Sequence, residues 1–479
     1  MNTNNSIYLA YAINYKNMKS ILKSLSLIAL VISLAACHKE EVLTLSVPVI
    51  QSGSLITSEN LAGGSIKGTM QTGKTYYFDK DITVNDGDTL LMQSGVTLIA
   101  VGDGTKDKAP QISVHGTFIS LGTKEKPNFI TVQNAATYHA EANTAKYDNV
   151  FKGSWGGIVA TPAPITAAKP NPKGGDVIIK WTHIEFPGAA SYGNDAAIYK
   201  DGDPRYGIYF ANIEKDFILE DSWIFGTTDD GIRTVGGKIS IMRNTFELCG
   251  KAGGECFNMK SGTVGDLAYN MLIGSATNAL KASNSGGTTV QCNVNMYNNT
   301  MVNCGFRQTK TGRGGSINYE QGARGLIYNN LIANCRFGLR MTTDADLTNI
   351  AYNNQYYYGS TAGILAQFLA SDGVAKVQTA DLKSATAKDK NPLFFSYNLD
   401  QYDYAVNAGP ITASLMPAYI TTIGSSNFGL QAISPAHNKS KTDFAPLAVV
   451  KTTGNFGATI TAPGNDIGAF QTDGTGNQH

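Results

Sequence analysis

Two lysines and a glutamate in the middle of the chain, Lys260, Lys281 and Glu255, are the residues best suited to chemistry. The lysines are 21 residues apart, close to the shortest repeat of 22 residues described below, so they could stack on one face of a repetitive fold. Two ammonium groups that close lower each other's pKa, as a lysine base near neutral pH requires. A passive site for carboxylated sugars, or lysines on a solvated sheet face, would show the same pattern. Strand alternation separates Glu255 from Lys260 unless the chain bends between them.

Adjacent carboxylates at Asp229 and Asp230 are a second candidate site. Two carboxylates can perform hydrolysis at a suitable separation, although Asp-Asp-Gly is also an ordinary turn. Carboxylate oxygens are also the ligands that Ca²⁺ prefers. Calcium bound by this pair, or by the loop acids Asp195, Asp201 and Asp203, is therefore a hypothesis, while no motif requires a cofactor.

Tyrosines form the third candidate site. Three of them lie in a polar loop over 187–206, and in the run over 356–358 at least one ring is expected to face outwards. Exposed rings on a sheet suit stacking against sugars, although tyrosine is also common in buried strands. The candidate sugar-binding tyrosines are Tyr192, Tyr199, Tyr206 and Tyr357.

A repeated unit between about 215 and 360 predicts the fold that positions these residues. Each unit reads apolar strand, anchor, apolar strand, small residue and Gly, with apolar residues three before and two after the anchor. Inward positions five apart cannot lie on one uninterrupted strand, so the chain must bend at the anchor. Asn favours such a bend, and stacked Asn amides about 4.8 Å apart can form a hydrogen-bonded ladder. The anchors are Ser222, Asn244, Asn270, Asn299, Asn330 and Asn354.

Cysteines recur in the same repeat, five residues after the anchors, with Thr227 and Ser275 in the equivalent positions of other coils. Cys304 and Cys335 would fall on adjacent coils, within disulfide range, but a row of buried free thiols is the preferred interpretation. The cysteines show no spacing typical of a zinc site.

Composition supports one long all-β solenoid. The 479 residues include 51 glycines and only 16% charged residues, as expected for short strands and tight turns. Lys and Arg number 38 against 37 Asp and Glu, which excludes a global basic field for nucleic acid. We expect a monomer with a signal peptide over 1–36, a tether over 37–60, a parallel β-helix over 61–390, and further coils with a closing segment over 391–479.

The N-terminus reads as an export signal. From Met18, two lysines precede an apolar run that ends in Leu-Ala-Ala-Cys at Cys37. This segment resembles the lipobox of bacterial lipoproteins, in which the cysteine is acylated and becomes the first mature residue. The following residues 38–41 resemble an acidic surface-export tag of Bacteroidota. The resemblance implies an outer-membrane protein anchored by lipid on Cys37 and facing the extracellular side.

Several ordered motifs resemble a family of right-handed parallel β-helix surface lipoproteins from Bacteroidota, related in fold to pectate-lyase-like proteins. The resemblance covers nearly the whole mature chain and implies a single right-handed parallel β-helix with protruding loops. The fold by itself does not imply one function. The matching segments are 95–99, 122–127, 155–158, 183–186, 229–232, 391–394, 434–436 and 466–470.

Residues 254–261, with Lys281 one coil later, resemble the Glu…Lys-Ser strand of alginate lyases and chondroitinase B. In those enzymes a lysine removes the proton at C5 of a uronate, and an arginine one coil on assists the leaving group. Lys281 stands where such a lyase would carry the arginine.

Three functions follow as hypotheses: binding of a polysaccharide or surface partner along one sheet face, β-elimination or hydrolysis of an acidic polymer, and a structural or adhesive role. Aligned exposed aromatics would favour binding, whereas Lys260 and Lys281 side by side in a groove would favour a lyase.

Overall fold

The computed structural model describes residues 50–478 except 106–108, 143–146, 193–196, 309–313 and 402–426. Three parallel sheets over this part of the chain form a right-handed parallel β-helix, which confirms the predicted fold class. Cys37, the export signal and the start of the tether lie outside the described residues. A search of the described helices found none with the length and apolar character needed to span a membrane.

Most coils contribute one short strand to each sheet, and we number the strands in chain order. The first sheet contains β1 Leu55–Ile56, β4 Gly68–Met70, β7 Thr89–Met92, β10 Thr117–Leu121, β13 Val177–Lys180, β16 Asp216–Glu220, β19 Gly237–Met242, β22 Thr263–Ala268, β25 Asn293–Tyr297, β28 Gly325–Tyr328 and β31 Ile350–Asn353. The second contains β2 Asn60–Leu61, β5 Thr75–Phe78, β8 Thr97–Ala100, β11 Asn128–Val132, β14 Thr182–Glu185, β17 Trp223–Phe225, β20 Thr245–Glu247, β23 Met271–Ile273, β26 Thr300–Val302, β29 Leu331–Ala333, β32 Tyr356–Tyr358 and β33 Leu382–Lys383. The third contains β3 Gly64–Ser65, β6 Ile82–Val84, β9 Ile112–Val114, β12 Ile158–Ala160, β15 Ile208–Phe210, β18 Ile232–Thr234, β21 Phe257–Met259, β24 Asn278–Ser283, β27 Gly315–Glu320 and β30 Leu339–Met341.

The core consists of inward side chains that stack from coil to coil. In the first sheet, for example, Phe118 pairs with Val177, then Phe217 and then Ile239, and all four are fully buried. Because strands in register repeat at about 4.8 Å, each apolar side chain packs on its equivalent in the next coil. An outward residue between two such inward positions therefore has its direction fixed by the core.

The predicted amide ladder is present, with one error at its end. Asn244, Asn270 and Asn299 each donate from Nδ2 to the Oδ1 of the next Asn at 3.0 Å, and Asn330 donates to Gln355 Oε1 at 3.1 Å. The last ladder residue is therefore Gln355. The predicted anchor, Asn354, was wrong by one position. Gln355 takes this place because its longer side chain still reaches Asn330 and the Ile327 carbonyl.

The bend at the ladder has a different cause from the one predicted. The left-handed residue is the one before each ladder amide, for example Tyr269 at φ 58° and Asn298 at φ 50°. The ladder residue itself keeps negative φ, because its side chain must point inwards to meet the next amide.

All five cysteines in the described part of the chain are buried free thiols, so the preferred interpretation of the cysteine row is confirmed. Cys304 Sγ lies 3.6 Å from the Leu272 carbonyl, and Cys335 Sγ lies 3.6 Å from that of Met301. The thiols therefore act as small apolar groups that fill the corner of each coil.

We expect a thiol-specific reagent to modify none of these five cysteines in a folded protein that begins at Ile50. Addition of denaturant without reductant should expose all five, because burial is the only barrier to reaction. A colorimetric thiol count in the two conditions measures this. Fewer than five reactive thiols in denaturant would indicate a disulfide and contradict the structure.

Two segments within the predicted β-helix region form short helices. Residues 135–142 form a helix, α1 Ala135–Ala142, docked on the second sheet where His139 Nε2 lies 3.1 Å from the buried Glu185 Oε1. A second short helix, α2 Ala362–Ala366, follows β32, and 3-10 turns occur at Leu347–Asn349 and Leu399–Gln401.

The described part of the C-terminal segment forms no further coils of the β-helix. It runs back along the outside of the first sheet, where Lys180 Nζ donates to the Gly457 carbonyl at 2.6 Å. It then returns past Tyr297, whose hydroxyl donates to the Thr461 carbonyl at 2.7 Å. Phe444 and Ile460 pack on the same outer face. The segment therefore covers the first sheet and leaves the outer face of the third sheet to the loops around it.

Candidate functional site

Five outward residues of the third sheet form a continuous row, which we call the cleft row. Arg233 of β18 pairs with Asn258 of β21, and the register continues to Lys281, Asn318 and Arg340 on the next three coils. The residues on either side of each member are buried in the core. Since alternate residues of a strand face opposite sides, this packing directs the whole row outwards.

The cleft row forms the floor of a cavity of about 440 Å³. The residues that line it are polar or charged, apart from two glycines, and come from five successive coils. They are Asp229, Arg233, Gly253, Gly254, Glu255, Asn258, Lys260, Thr277, Asn278, Lys281, Gln308, Asn318, Glu320 and Arg340.

Asp230 is the buried centre of the hydrogen-bond network beneath the cleft. It accepts hydrogen bonds from Arg233 Nε at 2.7 Å, from Asn258 Nδ2 at 2.9 Å and from the Glu255 amide at 2.9 Å. Burial by itself would raise the pKa of Asp230, but the Arg233 charge and these hydrogen bonds outweigh it and hold the pKa below its usual range. Asp230 therefore stays ionised and fixes Arg233 and Asn258 in place.

Glu255 also lies in the cleft, because it precedes β21 and is therefore outside the alternation of that strand. The turn before it uses Gly254 at φ +108°, where a Cβ would meet the Asp229 backbone at 2.6 Å. Glu255 Oε1 lies 3.7 Å from Lys281 Nζ. Burial and the neighbouring Asp230 charge raise the pKa of Glu255 to about 8, so its carboxyl is protonated at neutral pH and donates to Asp230. Burial and Asp230 likewise raise the pKa of Asp229 to about 7.

Lys260 and Lys281 share the cleft but are not register partners. Lys281 pairs with Asn258, whereas Lys260 follows two residues later, so the expected direct stacking is wrong by two positions. One coil here spans the 23 residues from Asn258 to Lys281, whereas the two lysines are only 21 residues apart. Lys260 Nζ donates to Ser285 Oγ at 3.2 Å, and no carboxylate of the described residues forms an ion pair with it. Burial, then Lys281 and Arg233, lower its pKa to about 8.

Sequence reasoning missed Arg233, Arg340 and Glu320. Glu320 accepts from Lys281 Nζ at 3.0 Å and lies 3.8 Å from Arg340 Nη1, so it bridges two members of the cleft row. Arg340 also pairs with Asp372 at 2.6 Å. The coil register is the signal that would have found them, but it is hidden by turns of unequal length between the strands.

The candidate sugar-binding tyrosines do not form an exposed platform. Tyr357 is fully buried in the core, and Tyr199 and Tyr206 are buried against Tyr209 of the third sheet. Tyr192 is half-buried and donates its hydroxyl to Asp81 at 2.7 Å. The neighbouring tyrosines 356 and 358 are also buried, because the C-terminal segment covers them. The expectation of exposed rings was therefore wrong at these positions, although Tyr356 and Tyr358 do point away from the solenoid core.

One of these tyrosines nevertheless contacts the cleft. The Arg233 guanidinium lies 4.1 Å from the Tyr206 ring centroid and donates from Nη1 to the Tyr206 hydroxyl. The tyrosine cluster thus closes the cleft at the Arg233 end and orients the first cation of the row.

Metal binding at Asp229 and Asp230 stays a prediction. Both oxygens of Asp230 already accept hydrogen bonds from protein groups. Over the described residues, no group of three or more His, Cys, Asp or Glu side chains is arranged to hold a metal ion. Asp195, one of the loop acids, lies outside the described residues.

Comparisons with known proteins add little to this geometry. No family model matches the chain, and no curated protein matches it. Four solved chains match, among them pectate lyase Pel9A, with 13% identity over 88% of each chain and a TM-score of 0.37. The strand pairing of the chain itself therefore carries the description of the fold, and its site must be interpreted from its own residues.

Proposed function

We propose that the cleft binds an acidic polysaccharide and cleaves it by β-elimination, with Lys260 as the base. The observation that carries this proposal is the convergence of Lys260, Lys281 and Arg233 in one cleft, where Lys260 alone of the three has no carboxylate partner among the described residues. An unpaired, half-buried ammonium is free to lose its proton and to face the reacting sugar.

The reaction uses a sugar carboxylate held by a cation. Arg233 or Lys281 would bind that carboxylate and stabilise the negative charge that develops when the neighbouring C5–H bond breaks. Lys260 takes the proton, the electron pair forms the C4–C5 double bond, and the C4–O bond breaks. The leaving oxygen then takes a proton from Glu255, which is protonated at neutral pH and lies at the other end of β21.

The Asp230–Glu255 pair is less suited to hydrolysis. Glycoside hydrolysis needs two carboxyl groups on opposite sides of the bond, at least about 5 Å apart. Asp230 and Glu255 instead share a hydrogen bond, and Asp230 is engaged by Arg233 and Asn258. This arrangement holds one proton between two carboxyls and leaves no space for a substrate between them.

Absorbance of the unsaturated product tests the proposal. Purified protein is incubated with alginate, chondroitin and pectate, and we expect absorbance to rise on at least one of them. No rise on any polymer would reject the lyase.

A non-catalytic binding protein is the second candidate, favoured by the ion pairs that already hold Arg233, Lys281 and Arg340 in fixed positions. Such preorganised cations would bind carboxylates at little entropic cost. Retained polymer binding without product would support this candidate. Absence of binding as well would leave the structural or adhesive hypothesis.

We also propose that lipid on Cys37 anchors the protein at the outer membrane. Cys37→Ala should abolish acylation and release the protein from membranes, because acyl burial supplies about 0.8 kcal/mol per methylene. Labelling of cells with a fatty-acid analogue, followed by membrane fractionation, measures both effects. Normal acylation of the variant would contradict the anchor, and Cys335→Ala in the core is the matched control.

A further inference from the structure

The cleft row alternates between cations and amides. In coil order it reads Arg233, Asn258, Lys281, Asn318 and Arg340. Because neighbouring strands lie about 4.8 Å apart, successive cations are separated by two coils, or about 9.6 Å. This separation is close to the length of two sugars in an extended polysaccharide.

We propose that the cleft is built for an acidic polysaccharide that lies along the solenoid axis and presents one carboxylate to the protein for every two sugars, as in a uronate alternating with an uncharged sugar. This inference rests on the proposed function, for which it names the substrate class. The cations would take the carboxylates, and Asn258 would face the sugar between Arg233 and Lys281.

The shape of the cleft determines the direction of the chain. Its floor crosses five coils, while turns that precede the strands, at Gly254, Thr277 and Gln308, line one side. A polymer lying along the axis meets all members of the row in turn. A polymer lying along one strand would meet a single member.

Asn258 supplies the second, independent observation. Its Nδ2 donates to Asp230 and Glu255, which fixes the amide so that Oδ1 is the remaining polar atom. That Oδ1 is buried and accepts no hydrogen bond. A carbonyl oxygen repels a carboxylate but accepts from a hydroxyl or an amide N–H. The sugar over this coil should therefore be uncharged and should donate a hydrogen bond.

The cations keep donors for a substrate despite their protein partners. A guanidinium has five N–H donors and an ammonium has three. Arg233 uses Nε for Asp230 and Nη1 for Tyr206, and Lys281 uses its ammonium for Glu320. The acidic partners fix the cations at their two-coil spacing, and the remaining N–H groups are available to carboxylates.

Salt dependence of binding tests the inference, because its slope counts the ion contacts formed. Octasaccharides of hyaluronan, with a carboxylate on every second sugar, and of polygalacturonate, with one on every sugar, are titrated calorimetrically at several salt concentrations. We expect hyaluronan to bind at least as tightly, with an equal slope, although it carries half the charge. Tighter binding of polygalacturonate with about twice the slope would overturn the inference.

Two variants make the test specific. Lys281→Gln should lower the slope for hyaluronan by about one ion contact and weaken binding about tenfold, while Lys238→Gln, on the exposed face of the first sheet, should change neither. An unchanged slope in Lys281→Gln would also overturn the inference. Patterned binding without unsaturated product would reject β-elimination alone, and no binding of either polymer would reject both proposals.

Discussion

Replacement of Lys260 by alanine is expected to reduce the rate of polymer cleavage by about a thousandfold. General-base catalysis contributes roughly 10²- to 10⁴-fold, and no other described cation of the cleft lacks a carboxylate partner to take over this role. The fold should be unaffected, because the Lys260 side chain makes a single hydrogen bond, to Ser285. Initial rates of unsaturated product formation, with circular dichroism as a check of folding, measure the effect.

The pH profile separates a base from a binding cation. Lys260 acts only when deprotonated and Glu255 only when protonated, and both pKa values are about 8, so the wild-type rate should rise to a maximum near pH 8 and fall above it. Lys260→Arg keeps a positive charge but remains protonated, so it should bind polymer and stay inactive. Lys238→Ala is the matched control and should keep full activity. A Lys260→Ala enzyme with the wild-type pH profile would show that another group is the base.

Replacement of Asn299 by leucine is expected to lower the free energy of unfolding by about 3 kcal/mol. Asn299 Oδ1 accepts from both Nδ2 and the backbone N of Asn270, and its Nδ2 donates to Asn330 and to the Leu267 carbonyl. Leucine has a similar size but no polar atom, so several buried groups lose partners, each at a cost of about 1 to 3 kcal/mol. Chemical denaturation of variant and wild type measures the difference.

Asn60→Leu is the control for this prediction. Asn60 is exposed in β2, near the first coil, and its replacement should change stability by less than about 0.5 kcal/mol. Equal stability of Asn299→Leu and wild type would mean that the ladder amides contribute nothing beyond their shape.

The repeat, the ladder and the cysteine row could be predicted from the sequence because they are local and periodic. Each coil must place one apolar residue before the bend and one after it. The apolar pattern of a coil can therefore be recognised within a single repeat of the sequence. The error at Gln355 shows the limit of this reasoning. Asn354 satisfied the pattern of residue types, but only the register shows that Gln355 continues the ladder and that Asn354 takes the left-handed position before it.

Membership of the cleft could be predicted for Lys260, Lys281 and Glu255, whereas the cleft row could not. Within its own coil, Arg233 lies six residues after the cysteine-row position and Arg340 lies five residues after it. Asn318 lies fourteen residues after the same position of its coil. Turns of unequal length therefore hide which residues share a face. The same applies to the tyrosines: whether the outward rings of Tyr356 and Tyr358 are exposed depends on the C-terminal segment, which is far away in sequence and covers them.

The sequence by itself determined that this chain is a parallel β-helix, because stacking of identical coils requires the same residue types at each step. The tertiary structure alone decided which charges meet. Lys281, Glu320 and Arg340 come from three different coils, and their contacts depend on a register accumulated over those coils. The pKa of Lys260 likewise depends on burial and on neighbouring cations brought together by folding. Electrostatic interactions of this kind act across coils, so no single repeat of the sequence contains them.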